Sequence, residues 1–188
     1  MPATISPGCA MRARRNWRRG HRREPDVPRH AETRQLPYSP TQMFDLVADV
    51  ARYQEFLPWV VATRVRSNSD TEMLADLIVG FGPLRETFTS RVNKQRATRI
   101  VVDYIEGPLK YLHNEWEFRP DDKGGTLVDF SVDFAFRSRT FETLAGRFFG
   151  EAVRRMVSAF EARAKLLYGA APQSVPSGSS SSSAHSAA

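Results

Sequence analysis

Along residues 30–169 the spacing of apolar positions changes period twice, and each change marks a new kind of element. The first stretch, "HAETRQL" (30–36), alternates as an edge strand does. Ser39 and Pro40 then supply an N-cap and a first helical residue for "TQMFDLVADV", where Met43, Phe44, Val47 and Val50 recur at helical spacing. A second short helix is predicted to stop at Leu57, because Pro58 drives the residue before it out of helical geometry. The stretch "RYQEFLPW" (52–59) therefore places Tyr53, Phe56, Leu57 and Trp59 at a helix end, where they form either a core plug or the lip of a cavity.

From Val60 onward the period becomes two. Six strand-like runs cover 60–67, 72–81, 84–94, 98–106, 110–119 and 126–137, separated by "NSD", "GP", "KQRA", "GP" and "PDDKGG". Such separators suit hairpin turns and predict an antiparallel meander. "GPL" occurs at 82–84 and again at 107–109. Alternate turns of a meander fall at one end of the sheet, so the two form a stiff rim or are a coincidental repeat. After residue 138 the period returns to helical. Phe141, Leu144, Phe148, Ala152, Met156, Phe160, Ala164 and Leu167 make one stripe, Arg147, Arg154 and Arg163 lie off it, and Gly169 is a natural C-cap. The expected fold class is α+β: a curved antiparallel sheet gripping one long C-terminal helix.

Strand phase points to the interior. Val128, Phe130, Val132, Phe134 and Phe136 share one face, with Asp129, Ser131 and Asp133 on the other. Leu112, Asn114, Trp116 and Phe118 likewise oppose His113, Glu115 and Glu117. In "LRETFTSRV" the apolar phase is Leu84, Phe88 and Val92, and it carries Glu86 and Ser90 with it. A carboxylate buried there without a partner would cost several kcal/mol, so Glu86 must be paired, protonated or wet. Two readings stay open. In one, the interior is partly hollow and Glu86, Ser90, Tyr104 and Asn114 orient a ligand in an apolar pocket. In the other they form a structural hydrogen-bond network, or a bulge turns Glu86 outward.

Composition narrows the function. The net charge of +6 belongs to residues 1–30, which hold eight arginines against Glu24 and Asp26; the rest has 19 basic and 19 acidic residues. Sequence-independent nucleic-acid affinity comes from neutralising phosphates, so strong nucleic-acid binding by a neutral domain is not expected. The one cysteine, Cys9, permits neither an intrachain disulfide nor a cysteine metal cluster. His113, Glu115 and Glu117 share a strand face, which reads as a solvated surface with arginine partners and not as a metal site. No phosphate-binding loop or dinucleotide fingerprint is present in the sequence. No catalytic residue, metal or cofactor is expected. Residues 1–29 read as a disordered basic extension: an organelle transit peptide, a basic arm, or sequence upstream of a start at Val27. Residues 170–188 read as a flexible Ser-rich tail, leaving 30–169 as the domain.

The segments "YSPTQMFDLVADVARYQEFLPWV", "LRETFTSRV", "GPLKYLHNEWEF", "VDFSVDFAFRSR" and "EAVRRMVSAFEARAKLLYG" together closely resemble the coenzyme Q-binding START-domain family, which also contains the RatA-type toxins and is polyketide cyclase-like. The resemblance implies a helix-grip fold around a lipid-sized cavity and a noncatalytic protein that binds ubiquinone, or a similar isoprenoid lipid, in support of respiratory electron transport. It further implies a lining from Phe56, Leu57, Trp59, Phe88, Tyr104, Trp116, Phe134, Phe148, Met156 and Phe160, with Glu86, Ser90 and Asn114 as polar candidates. The expected location is cytoplasmic, peripheral to the inner membrane or near respiratory complexes, and on the mitochondrial matrix side if residues 1–29 are a transit peptide. The alternative is a toxin that binds the large ribosomal subunit and inhibits translation.

Overall fold

The computed structural model describes residues 29–81 and 84–169, with the backbone alone described at Phe81, Leu84 and residues 139–148. The expectations for residues 1–28, for the Gly82-Pro83 turn and for the tail after 169 lie outside these residues, as does the side chain of Phe148. Strand β1 (Arg29–Leu36) is followed by helix α1 (Pro40–Ala48), a single 3-10 turn at Val50–Arg52 and the one-turn helix α2 (Tyr53–Phe56). The meander then runs through β2 (Val60–Asn68), β3 (Glu72–Phe81), β4 (Leu84–Gln95), β5 (Arg99–Glu106), β6 (Leu109–Pro120) and β7 (Thr126–Phe136), and α3 (Arg139–Tyr168) closes the chain. These bounds fall within one or two residues of the sequence expectation.

The local signals act as predicted. Ser39 accepts from the Gln42 N–H at 3.2 Å while the Gln42 side chain accepts from the Ser39 N–H at 2.8 Å. This reciprocal box satisfies two of the donors that a helix N-terminus leaves unpaired. Leu57 takes extended geometry, ending α2. The strands form one sheet in the order β1-β7-β6-β5-β4-β3-β2 with every neighbouring pair antiparallel. Gly107, at the β5–β6 turn, has φ +137, and a Cβ there would lie 2.7 Å from the Thr87 carbonyl oxygen. That turn must be glycine because its backbone crosses directly over β4.

Register assigns the faces. Rows of paired residues run across the sheet: Met73, Val92, Val102, Asn114, Val132 and His30 in one, and Ile100, Trp116, Phe130 and Glu32 in the next. This concave face receives α3, whose Val153, Val157, Phe160 and Ala164 join Met73, Ala75, Val92, Ile100, Trp116 and Phe130 in one core. The convex face is solvated and ion-paired: Arg99 bonds Glu115, Arg119 bonds Asp129, and His113 Nδ1 lies 3.0 Å from Asp103.

Two helical positions depart from the periodicity. Leu167, placed on the apolar stripe by spacing, is exposed, and Tyr168 packs in its stead, bonding the Gln42 carbonyl at 2.9 Å and facing the Tyr38 ring at 5.8 Å. Near its C-terminus α3 passes α1 and not the sheet, so the buried side rotates. Arg163, off the stripe, has only 12% of its side chain exposed because α2 folds over it: it pairs with Glu55 at 2.6 Å and stands over the Phe56 ring.

Asp76, buried on the convex side, is the fold's most deeply placed carboxylate among the described residues. Burial alone would raise its pKa, but hydrogen bonds from Arg66 at 2.8 Å and Thr89 at 2.8 Å, with the Arg66 and Arg64 charges, outweigh burial and hold it below the usual range. A depressed folded pKa stabilises above the unfolded value and is lost as pH falls through the folded one. Asp76→Asn is therefore expected to cost about 1–2 kcal/mol at pH 7 in urea unfolding, with the gap to wild type narrowing as pH drops below about 4.

Candidate functional site

The concave face is covered unequally along its length. At the end near α1 it is sealed: Met73, Ala75, Val92, Ile100, Trp116, Phe118, Val128 and Phe130 are all buried. Toward the β5–β6 turn, residues of the same phase are only half-buried, among them Leu77, Val79, Phe88, Val102, Tyr104 and Phe134. The sealing is aromatic. The Phe160 ring lies 5.3 Å from Trp116, 5.5 Å from Tyr53 and 5.2 Å from Phe56, centroid to centroid. Beyond it α3 presents Phe149, 5.3 Å from Phe134, and the half-buried Met156. The open half is thus an apolar stretch of the face that is only partly covered.

Its polar groups are few. Ser90 is 1% exposed, opposite Ala75 on one side and Tyr104 on the other, where the sealed half meets the open one. The Tyr104 hydroxyl is shielded from solvent and has no hydrogen-bond partner among the described residues. Glu86 pairs in register with Val79 and is half-buried, so it does lie in the apolar phase and no bulge turns it out. Asn114 works for the protein: its carbonyl oxygen accepts from Trp116 Nε1 at 2.7 Å and its amide donates to the Ser131 carbonyl at 3.0 Å.

The predicted lining residues divide between the two halves. Phe88, Tyr104 and Phe134 fall in the open half, while Trp116, Phe160 and Leu57 belong to the sealed core, with Phe56 and Met156 packed against it. Trp59 is half-buried at the start of β2, its carbonyl accepting from Gly80 at 2.9 Å, so "EFLPW" reaches the open end of the sheet from a plugged base. A groove of about 540 Å³ lies on that flank between Phe56, Pro58 and the Arg154, Arg155 and Ala159 side of α3. The sequence reading missed His30. Register sets it beside Val132, and its ring sits 6.2 Å from Phe130 and 6.5 Å from Phe149, with Nε2 3.4 Å from Glu32, whose other carboxylate oxygen lies 3.6 Å from Arg34. The alternation of β1 alone does not say which of its faces is inward.

Among the described residues no group of three or more His, Cys, Asp or Glu could hold a metal ion. Among them, too, no helix is long and apolar enough to cross a membrane. Tyr53, whose phenol donates to the Val47 carbonyl at 2.6 Å, has its pKa raised by burial and by the Asp49 charge, so it is a structural donor.

A seven-stranded antiparallel sheet holding a C-terminal helix defines a helix-grip protein of the START-like class. The solved structure of a START superfamily protein from Mycobacterium smegmatis matches it with a TM-score of 0.61 at 16% identity, over 74% of this chain and 98% of that one. Residues 36–161 match the family described as polyketide cyclase/dehydrase and lipid transport, and the chain belongs to that family. The ribosome association toxin RatA of Escherichia coli is 34% identical over 77% of this chain and 91% of its own length. The mitochondrial coenzyme Q-binding protein COQ10 homolog B of Xenopus laevis is 35% identical over 74% of this chain and 59% of its own. The solution structure of the 18 kDa protein CC1736 from Caulobacter crescentus is 37% identical, with a TM-score of 0.62, over 76% of this chain and 99% of that one.

Sealed and open halves have different energetic consequences. Phe160→Ala is expected to cost about 3–5 kcal/mol in urea unfolding, the range for a fully packed phenylalanine, because three rings lose their partner. Phe88→Ala, in the half-buried region, is expected to cost less than half as much.

Proposed function

We propose that this protein binds a quinone-type isoprenoid lipid between the open half of the sheet and α3, and carries or presents it to respiratory electron transport without catalysing a reaction. The observation that carries the reading is the set of half-buried apolar side chains, Leu77, Phe88, Leu112 and Phe134, on a face whose other half is sealed. Apolar surface left accessible inside a fold, with few polar groups, is the usual character of a small-molecule site. The lipid-transport family and the coenzyme Q-binding relative support the choice of ligand class. Noncatalytic action is the simpler reading, because general acid–base work needs groups placed to exchange protons with a substrate, and Glu86 alone is thin support for that.

The relatives named as ribosome association toxins favour a second reading, in which the same fold acts on the ribosome. The balance of 19 basic and 19 acidic residues after residue 30 gives this reading little electrostatic help.

Mass spectrometry of organic extracts separates the two. Protein purified from a quinone-replete host is expected to yield near-stoichiometric ubiquinone, and Phe88→Asp is expected to lose it while keeping a cooperative melt. Extracts free of quinone, with the protein cosedimenting with ribosomal subunits, would establish the second reading.

A further inference from the structure

We infer that the Tyr104 hydroxyl selects the ligand's head: it donates a hydrogen bond to a carbonyl oxygen of a neutral ring, on a face that rejects carboxylate and phosphate heads. This rests on the lipid-binding reading above and goes further by naming the recognising atom and the excluded chemistry.

Three observations converge. The Tyr104 oxygen is shielded from solvent and unbonded among the described residues, and the half-buried residue stands opposite Ser90 in register, in the inward phase of β5. Leaving such a hydroxyl unpaired carries a desolvation penalty that an acceptor from a ligand would remove. The second observation is charge. Among the described residues, the inward positions of the open half carry no lysine or arginine. An anionic head placed on this face would be desolvated without a counter-charge, which is costly, whereas a neutral carbonyl needs only a donor. The third is that Asn114 is engaged and His30 remote. Asn114 is committed to Trp116 and Ser131, and His30 sits on β1, three strands away from Tyr104 across β6 and β7. At the usual strand spacing that is about 14 Å, too far for one ring to reach both.

The test compares the full chain with Tyr104→Phe, which removes only the oxygen. Both are titrated with decylubiquinone, read by quenching of tryptophan fluorescence, with palmitate (a carboxylate head) and squalene (an isoprenoid hydrocarbon without oxygen) as competitors. The variant is expected to melt no lower than wild type, to bind decylubiquinone about tenfold more weakly, the scale of one hydrogen bond, and to be equally sensitive to squalene. Palmitate is expected to displace decylubiquinone from neither. Equal decylubiquinone affinity in the two proteins, a markedly lower melt for Tyr104→Phe, or displacement by palmitate at decylubiquinone-like concentrations would overturn the inference while leaving lipid binding standing. A well-folded wild type that decylubiquinone does not quench would overturn the quinone reading itself, and this inference with it.

Discussion

The contact of Phe160 with Trp116, Tyr53 and Phe56 is the interaction on which the rest of the structure depends. It joins the C-terminal half of α3, the middle of β6 and the one-turn helix α2 in a single aromatic knot, and so fixes where along the sheet the helix is seated. Edge-to-face ring pairs add about 0.5–1.5 kcal/mol each beyond the area they bury, and they are directional. Asn114 supports the knot from the sheet side by holding the indole N–H, which leaves Trp116 one orientation. With the helix pinned at that end, the sheet beyond Ser90 extends past the sealing stripe, and the open half follows from geometry.

The two faces of the sheet divide the polar work. On the convex face, charges lie opposite one another in register, as with Glu117 and Asp129 flanked by Arg99 and Arg119, and they are mostly exposed. Such pairs contribute little individually, but they keep the face soluble and suppress register slips, because a one-residue shift would bring Asp129 and Asp133 inward. The concave face keeps its charges to the edge strand and to Glu86. Its neutral interior is the complement of the charged exterior: strict alternation moves ionic groups out and leaves hydroxyl and amide groups where a lipid would lie.

Much of this was legible in the sequence, and the parts that were not share a cause. Period two along β6 and β7 assigned Trp116, Phe130 and Phe134 to one face, and the "SPTQ" box and "LPW" stop set the first helices. Period says which face a residue is on and nothing about its depth along the strand. Trp116 and Phe134 look equivalent in pattern, yet one is sealed and the other half-open, because depth depends on where α3 docks. Arg163 lies off the apolar stripe of the helical wheel, yet a four-residue helix distant in sequence covers it. The inward orientation of His30 needed its partner strand, since an alternating polar strand has two equally plausible faces.

Tyr104 shows why an unsatisfied group can be more informative than a satisfied one. A buried hydroxyl without a partner costs about 1–3 kcal/mol, a considerable share of the 5–15 kcal/mol by which ordinary domains are stable. Phenylalanine would fill nearly the same volume without that cost, and nothing in the local pattern of "RIVVDYIEG" demands a phenol. Tyr104 also stands opposite Ser90 in register, on the inward face, with its oxygen shielded from solvent. A purely structural tyrosine in this fold behaves as Tyr53, Tyr38 and Tyr168 do, each bonded to a backbone carbonyl. Against those three, the free phenol of Tyr104 is best understood as a donor held ready for an acceptor that the described residues do not supply.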